Sequence, residues 1–185
     1  MTPALKSNTT TKKRKYKPKN PPGPDQAVIG WRKDELNNLV QNFGLSSDWG
    51  VQFPTPNSTA LDAPLGYMSL YADFFREGNF RLQISKFIGE VLTSYGLHIS
   101  QISTLGLSRV THFEFICRAN CVEPSFKNFN DFYFITYIGG FYSFNSRTTG
   151  VDPCSRDPPK SLHDWKQNFF YIRHGVIPFD MQSMD

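Results

Sequence analysis

The sequence predicts an α+β chain, with a helical block of about four to five helices followed by a small antiparallel three-stranded sheet. Three observations predict it. Apolar residues recur at i, i+3, i+4 and i+7 through the middle of the chain, in successive patterns separated by short breaks between Pro64 and Phe129. Beyond Asp131 the pattern gives way to two aromatic strand-forming runs on either side of Gly139-Gly140. Seventeen Phe in a 185-residue chain supply a core large enough for one domain with little left for a second.

Residues 1–27 are rich in Thr, Lys, Asn and Pro, and end in Pro21-Pro22-Gly23-Pro24. With almost nothing apolar to bury, this stretch cannot offset the entropy of ordering and is expected to be a disordered basic arm. The first twenty residues hold Lys6, Lys12, Lys13, Arg14, Lys15, Lys17 and Lys19 and no acid, whereas the whole chain carries only +4. The high isoelectric point therefore belongs to the arm, and the remainder is mildly acidic. Lys12, Lys13, Arg14, Lys15, Lys17 and Lys19 form a dense cationic run suited to phosphate contacts or to nuclear import, with a solubilising tail as the alternative.

Leu36, Leu39, Val40 and Phe43 place a helix over residues 31–43, with Asp34 and Glu35 at its positive end and Gly44 as its stop. Trp49 to Ala63, interrupted by Pro54 and Pro56, reads as an irregular connector. Tyr67, Leu70, Tyr71, Phe74 and Phe75 predict the next helix, with Pro64 near its start and Gly78-Asn79 after it. Ile84, Phe87, Ile88, Val91, Leu92 and Tyr95 predict another, capped by Ser85 and ended at Gly96. From Thr104 to Asn120 the apolar residues spread around more than one face, as in a helix packed on two sides. Glu123-Pro124 opens a short helical piece containing Phe126 and Phe129. Residues 132–138 and 141–147 form a hairpin, and Phe169 to Arg173 supplies a third strand. Residues 28–179 thus make one domain and residues 180–185 a short tail.

No reacting centre emerges from these elements. Two-metal nucleases and integrases need about three converging carboxylates, but the last Glu is Glu123 and the acids after it fall in loops or tails. Asp73 and Glu77 share a helical face at i, i+4, the ordinary arrangement of a solvated polar edge. His112, Cys117 and Cys121 are spaced His-x4-Cys-x3-Cys, which fits neither zinc fingers nor knuckles and lacks a fourth ligand. Cys117 and Cys121 read as buried cysteines packed in a helix, reduced like Cys154, and His98, His163 and His174 as isolated surface or turn histidines. No nucleophile elbow, phosphate loop or dinucleotide fingerprint occurs. The expectation is a non-enzyme with no metal, cofactor or small-molecule substrate. No apolar window approaches the ~20 residues of a membrane span, so a nuclear or otherwise cytoplasmic protein is expected.

Pro64–Phe75, Phe80–Phe87, Val91–Leu97 with Ser100-Gln101, and the later Trp165-Lys166-Gln167-Asn168-Phe169-Phe170-Tyr171 together resemble the plant gypsy-type transposase domain. The likeness runs over about residues 28–179. Gln83 stands where that family often has proline, and no proline follows Gln101; both departures fall at helix starts. The resemblance implies a transposable-element-derived protein from the structural, gag-like end of a retroelement, and it carries over no catalytic position. The expected role is a non-catalytic one, with nucleic acid bound through the arm and protein partners or self-association through the domain. The alternative is a metal-dependent DNA-processing enzyme using Asp73, Glu77, Glu90 and Glu114. A third reading is an interaction fragment of a longer polyprotein.

Overall fold

A computed structural model describes residues 23–149, 152–154, 162 and 164–177. The cationic run Lys12, Lys13, Arg14, Lys15, Lys17 and Lys19 lies outside the described residues, as does the predicted tail at 180–185. What is described is an α+β fold with five α-helices and four strands arranged as two separate antiparallel pairs.

Helix α1 (Lys33–Phe43) begins where the Glu35 carboxylate accepts the Arg32 backbone N–H at 2.7 Å and ends at Gly44, which takes a left-handed conformation. It buries Leu36 and Leu39 and sets Phe43 against Phe75, ring centroids 5.7 Å apart. The segment expected to continue as a helix from Tyr67 is instead strand β1 (Tyr67–Tyr71) running directly into a short helix α2 (Ala72–Arg76). Met68, Ser69, Leu70 and Tyr71 are all buried, so neither face of β1 is solvated. A strand covered on both faces shows a continuous apolar run rather than alternation, and such a run passing into α2 imitates helical spacing.

The partner of β1 is β4 (Phe169–Arg173), in antiparallel register with Leu70 opposite Phe170 and Tyr71 opposite Phe169. The strand expected at Phe169–Arg173 therefore forms, but it does not join the hairpin, and the single three-stranded sheet is replaced by two two-stranded ones. The outer edge of β4 is closed by Gln52, whose backbone exchanges hydrogen bonds with Tyr171 at 2.9 and 3.0 Å. Trp31 donates its indole N–H to the Phe169 carbonyl at 2.8 Å.

Helix α3 (Lys86–Tyr95) has Ser85 as its N-cap, accepting from the Ile88 N–H, and Gly96 in the left-handed conformation at its end. Helix α4 (Thr104–Ala119) is capped by Ser103 and packs on several sides, as its apolar distribution requires, against α2, α3 and the second sheet. Helix α5 (Phe126–Phe132) starts at the cap Ser125. It leads into the hairpin of β2 (Tyr133–Ile138) and β3 (Phe141–Ser146), joined by Gly139-Gly140 with both residues at positive φ, as a primed turn demands. The α4–β3 approach is close: a Cβ on Gly106 would lie 3.0 Å from the Ser143 Cα. A continuous buried cluster in which Tyr71, Phe74, Phe80, Phe141 and Trp165 meet mostly edge-to-face unites the two sheets. Among the described residues no helix is long and apolar enough to cross a membrane.

Candidate functional site

Of the carboxylates considered for metal-dependent chemistry, Asp73 and Glu77 lie at the two ends of α2, while Glu90 and Glu114 stand on α3 and α4. Asp73, in the first turn of α2, lies 3.6 Å from Arg76. Burial pushes its carboxyl above the ordinary range, Arg76 opposes that push and Glu77 adds to it. Glu114 on α4 is buried, accepts from Arg118 at 2.8 and 3.0 Å, and accepts the Ser85 hydroxyl at 2.7 Å, tying α4 to the cap of α3. Glu90 on α3 accepts the Phe126 backbone N–H at 3.2 Å, at the start of α5. Glu90 and Glu114 thus each tie two elements together, while Asp73 pairs within its own helix. Among the described residues no three His, Cys, Asp or Glu side chains stand close enough to hold a metal ion. His112 pairs with the Ser108 hydroxyl at 3.0 Å, Cys117 is half-buried, and Cys121 is exposed at positive φ just past the helix end.

The surface with the most distinctive chemistry is on α4, α5 and β2. An apolar groove of about 510 Å³ runs between the C-terminal half of α4, α5 and residues 153–154, lined by Phe113, Ile116, Cys117, Val122, Phe132 and Cys154 among others. Burial raises both of its thiols above their usual pKa and so favours the neutral thiol over the thiolate. Of the nine exposed large hydrophobic residues among those described, Phe115, Val122, Phe132, Phe134, Tyr137 and Ile138 belong to this quarter of the chain. Exposed large apolar residues are thus concentrated between residues 115 and 138, whereas single scattered ones would be normal.

Beneath the hairpin lies a polar network that spacing alone did not suggest. The Asp152 carboxylate accepts from Tyr133 Oη at 2.6 Å, from Arg109 Nε at 3.1 Å and from the Cys154 backbone N–H at 3.0 Å. Arg109 also donates to the Phe144 carbonyl and to Asn145 Oδ1. Burial drives the Asp152 carboxyl upward, but its three donors outweigh that and hold it below the ordinary range; burial and the Asp152 contact raise the Tyr133 phenol. The network ties the hairpin and residues 152–154 to α4. A second hollow, of about 560 Å³, lies among Trp49, Leu65, Tyr67, Arg173 and Val176, and the formal charges of Asp48 and Arg173 on its wall cancel.

No family model matches the chain, and no solved structure matches it. It is 34% identical over 88 residues to an uncharacterized chloroplastic protein of Arabidopsis thaliana. That match covers 48% of this chain and 10% of the relative, so the chain spans about a tenth of the relative's length.

Proposed function

We propose that this chain is a non-catalytic, transposable-element-derived protein of the gypsy-type, gag-like kind, binding protein through its folded part and nucleic acid through its basic arm. The observation that carries the reading is the exposure of Phe132, Phe134, Tyr137 and Ile138 along the end of α5 and β2, with Phe132 also lining an apolar groove. An apolar face of this kind suits a macromolecular contact and not a polar substrate. The pairing of Glu90 and Glu114 between elements, and of Asp73 with Arg76, is consistent with it. The arm's seven cations within twenty acid-free residues support phosphate contact.

The test is binding of the full chain to duplex and single-stranded DNA and RNA across a salt series. Affinity is expected to fall steeply with salt and to be abolished by deleting residues 1–20. Binding unchanged by that deletion moves the nucleic-acid contact into the folded part; no binding at low salt overturns it. A metal-dependent cleavage or joining activity lost on replacing Asp73, Glu77, Glu90 or Glu114 by Ala would overturn the non-catalytic reading.

The arm also bears on location. The Lys12–Lys19 run favours the nucleus, whereas the relative is named chloroplastic and an acid-free arm also suits a transit segment. A fluorescent fusion of the full chain separates the two, with nuclear accumulation lost on replacing Lys12, Lys13, Arg14 and Lys15 by Ala as the expected result and plastid accumulation the overturning one.

A further inference from the structure

Among the described residues, strand β2 has one edge in use and one edge open. In an antiparallel pair, residues directed at the partner alternate with residues whose backbone groups point away. The Arg147 N–H donates to the Phe132 carbonyl, and this bond sets the phase of the hairpin: Phe134, Thr136 and Ile138 face β3, while Tyr133, Ile135 and Tyr137 present N–H and C=O outward. The other long edge, that of β3, is covered, since Ile102 bridges to Tyr142 and the Ser103 N–H donates to the Tyr142 carbonyl at 2.7 Å. On β2 the Tyr133 N–H is taken by the Phe129 carbonyl at the end of α5. The N–H and C=O groups of Ile135 and Tyr137 make no backbone hydrogen bond on this edge among the described residues.

Exposed edges are ordinarily blocked by charge, proline or a bulge. Residues Tyr133–Ile138 contain none of these: the strand reads Tyr-Phe-Ile-Thr-Tyr-Ile, without a charged residue, and pairs with β3 in unbroken register. We propose that β2 is a self-association edge, on which β2 of a second copy of this chain pairs antiparallel across a two-fold axis centred on Thr136.

The strand is self-complementary in that register. The Ile135 N–H and C=O meet those of Tyr137 in the other copy, and the reciprocal pair does the same, so about four hydrogen bonds satisfy the open groups while the occupied Tyr133 N–H is not required. Phe134 comes opposite Ile138 of the second copy, and Thr136 opposite Thr136, in the closely spaced non-hydrogen-bonded positions where side chains pack best. Neutral strands suit a partner that is the strand itself, because a two-fold axis would bring any charge near its own copy.

The area agrees with a weak dimer. Phe132 is 48% exposed, Phe134 39%, Tyr137 64% and Ile138 61%. At about 200 Å² for a large side chain, these four offer about 400 Å² per copy, so two copies bury at most about 800 Å² before the backbone edge is added, below the size of a stable interface and in the range of a weak, transient one. A reversible, concentration-dependent dimer follows, whether or not the arm binds nucleic acid.

Sedimentation and light scattering of the full chain from about 1 μM to about 1 mM are expected to show a rise from the 21.2 kDa monomer to a plateau at twice that mass. Phe134→Lys and Ile138→Glu are each expected to weaken the dimer at least tenfold. An equimolar mixture of the two variants restores it, because the register sets the introduced lysine of one variant against the introduced glutamate of the other. A monomer throughout, a dimer indifferent to both variants, open-ended growth beyond the dimer, or no rescue in the mixture overturns the proposal. Should a variant fail to fold, hydrogen exchange on the unmodified chain decides: the Ile135 and Tyr137 amides gain protection as concentration rises, and equal exchange at all concentrations overturns it.

Discussion

The two antiparallel strand pairs are alike in size and opposite in circumstance. The β1–β4 ribbon joins segments from distant parts of the chain, buries nearly every residue of both strands and has its β4 edge closed by Gln52. The β2–β3 hairpin is local, turns on Gly139-Gly140 and leaves one edge and much of β2 open to solvent. Two-stranded sheets are marginal alone, and this molecule supports its two by different means. Aromatic packing on both faces supports the ribbon, with Phe170 against Trp31 and Phe75. A polar anchor, Arg109–Asp152–Tyr133, supports the hairpin together with Phe129 and Phe144. The ribbon acts as the structural centre, and the hairpin is stable enough to present a surface.

The contrast breaks if the ribbon is no more sensitive than the hairpin. Phe170→Ala is expected to cost about 3–5 kcal/mol, because the ring is fully buried and its neighbours cannot close the space. Tyr137→Ala, at an exposed position of β2, is expected to cost less than about 1 kcal/mol. Urea unfolding of both variants measures the difference, and equal costs would refute the assignment of the centre to the ribbon. Next in size is Asp152→Ala, expected to cost about 3 kcal/mol, since it leaves Arg109 and Tyr133 buried without their shared acceptor.

Much of this organisation was legible in the sequence. Gly44, Ser85, Gly96 and the Gly139-Gly140 turn stand where the structure uses them, because caps and turns are local and each rests on one residue's conformational preference. The hairpin strands were legible for the same reason. The β1–β4 pairing was not: Tyr67, Leu70, Tyr71, Phe74 and Phe75 satisfy helical spacing, and only the long-range partner makes the first part of that run a strand. The Arg109–Asp152 pair, 43 residues apart, carries no periodic signal at all. Of the surface, the charge-free run Tyr133–Ile138 was readable, but which of its backbone groups are free follows from the register. The cationic arm, the clearest compositional signal, falls outside the described residues.

The turns sharpen the comparison at a smaller scale. Gly140 and Gly44 both sit at positive φ, where any Cβ costs about 1–2 kcal/mol. At Gly44 nothing lies within 4 Å of the added atom, whereas at Gly140 it would meet the Pro24 Cδ at 2.5 Å. Gly140→Ala is therefore expected to lower the melting temperature more than Gly44→Ala. Equal shifts would mean that the chain before α1 yields freely and does not hold the hairpin tip.

The smallest expected effect is also the one with the most informative sign. Asp152 and Asp73 are both shielded, with side chains 6% and 13% exposed, yet they depart from the ordinary carboxyl in opposite directions. Asp152 titrates below its unfolded value, so its contribution is present above that value and is lost as pH falls through the folded pKa. Asp73 titrates above its unfolded value, so the folded state holds its proton more tightly and this group favours folding more as the solution is acidified through the folded pKa. In unfolding measurements between about pH 3 and pH 7, around the ordinary Asp value of about 4, Asp152→Asn should flatten the loss of stability on the acid side. Asp73→Asn should steepen that loss and leave neutral stability unchanged or slightly higher, because an amide still accepts from Arg76 without the cost of burying a charge. A loss at neutral pH of more than about 0.5 kcal/mol for Asp73→Asn would show that the Arg76 pairing outweighs burial at the ribbon end, and that polar anchoring sustains both halves of the molecule.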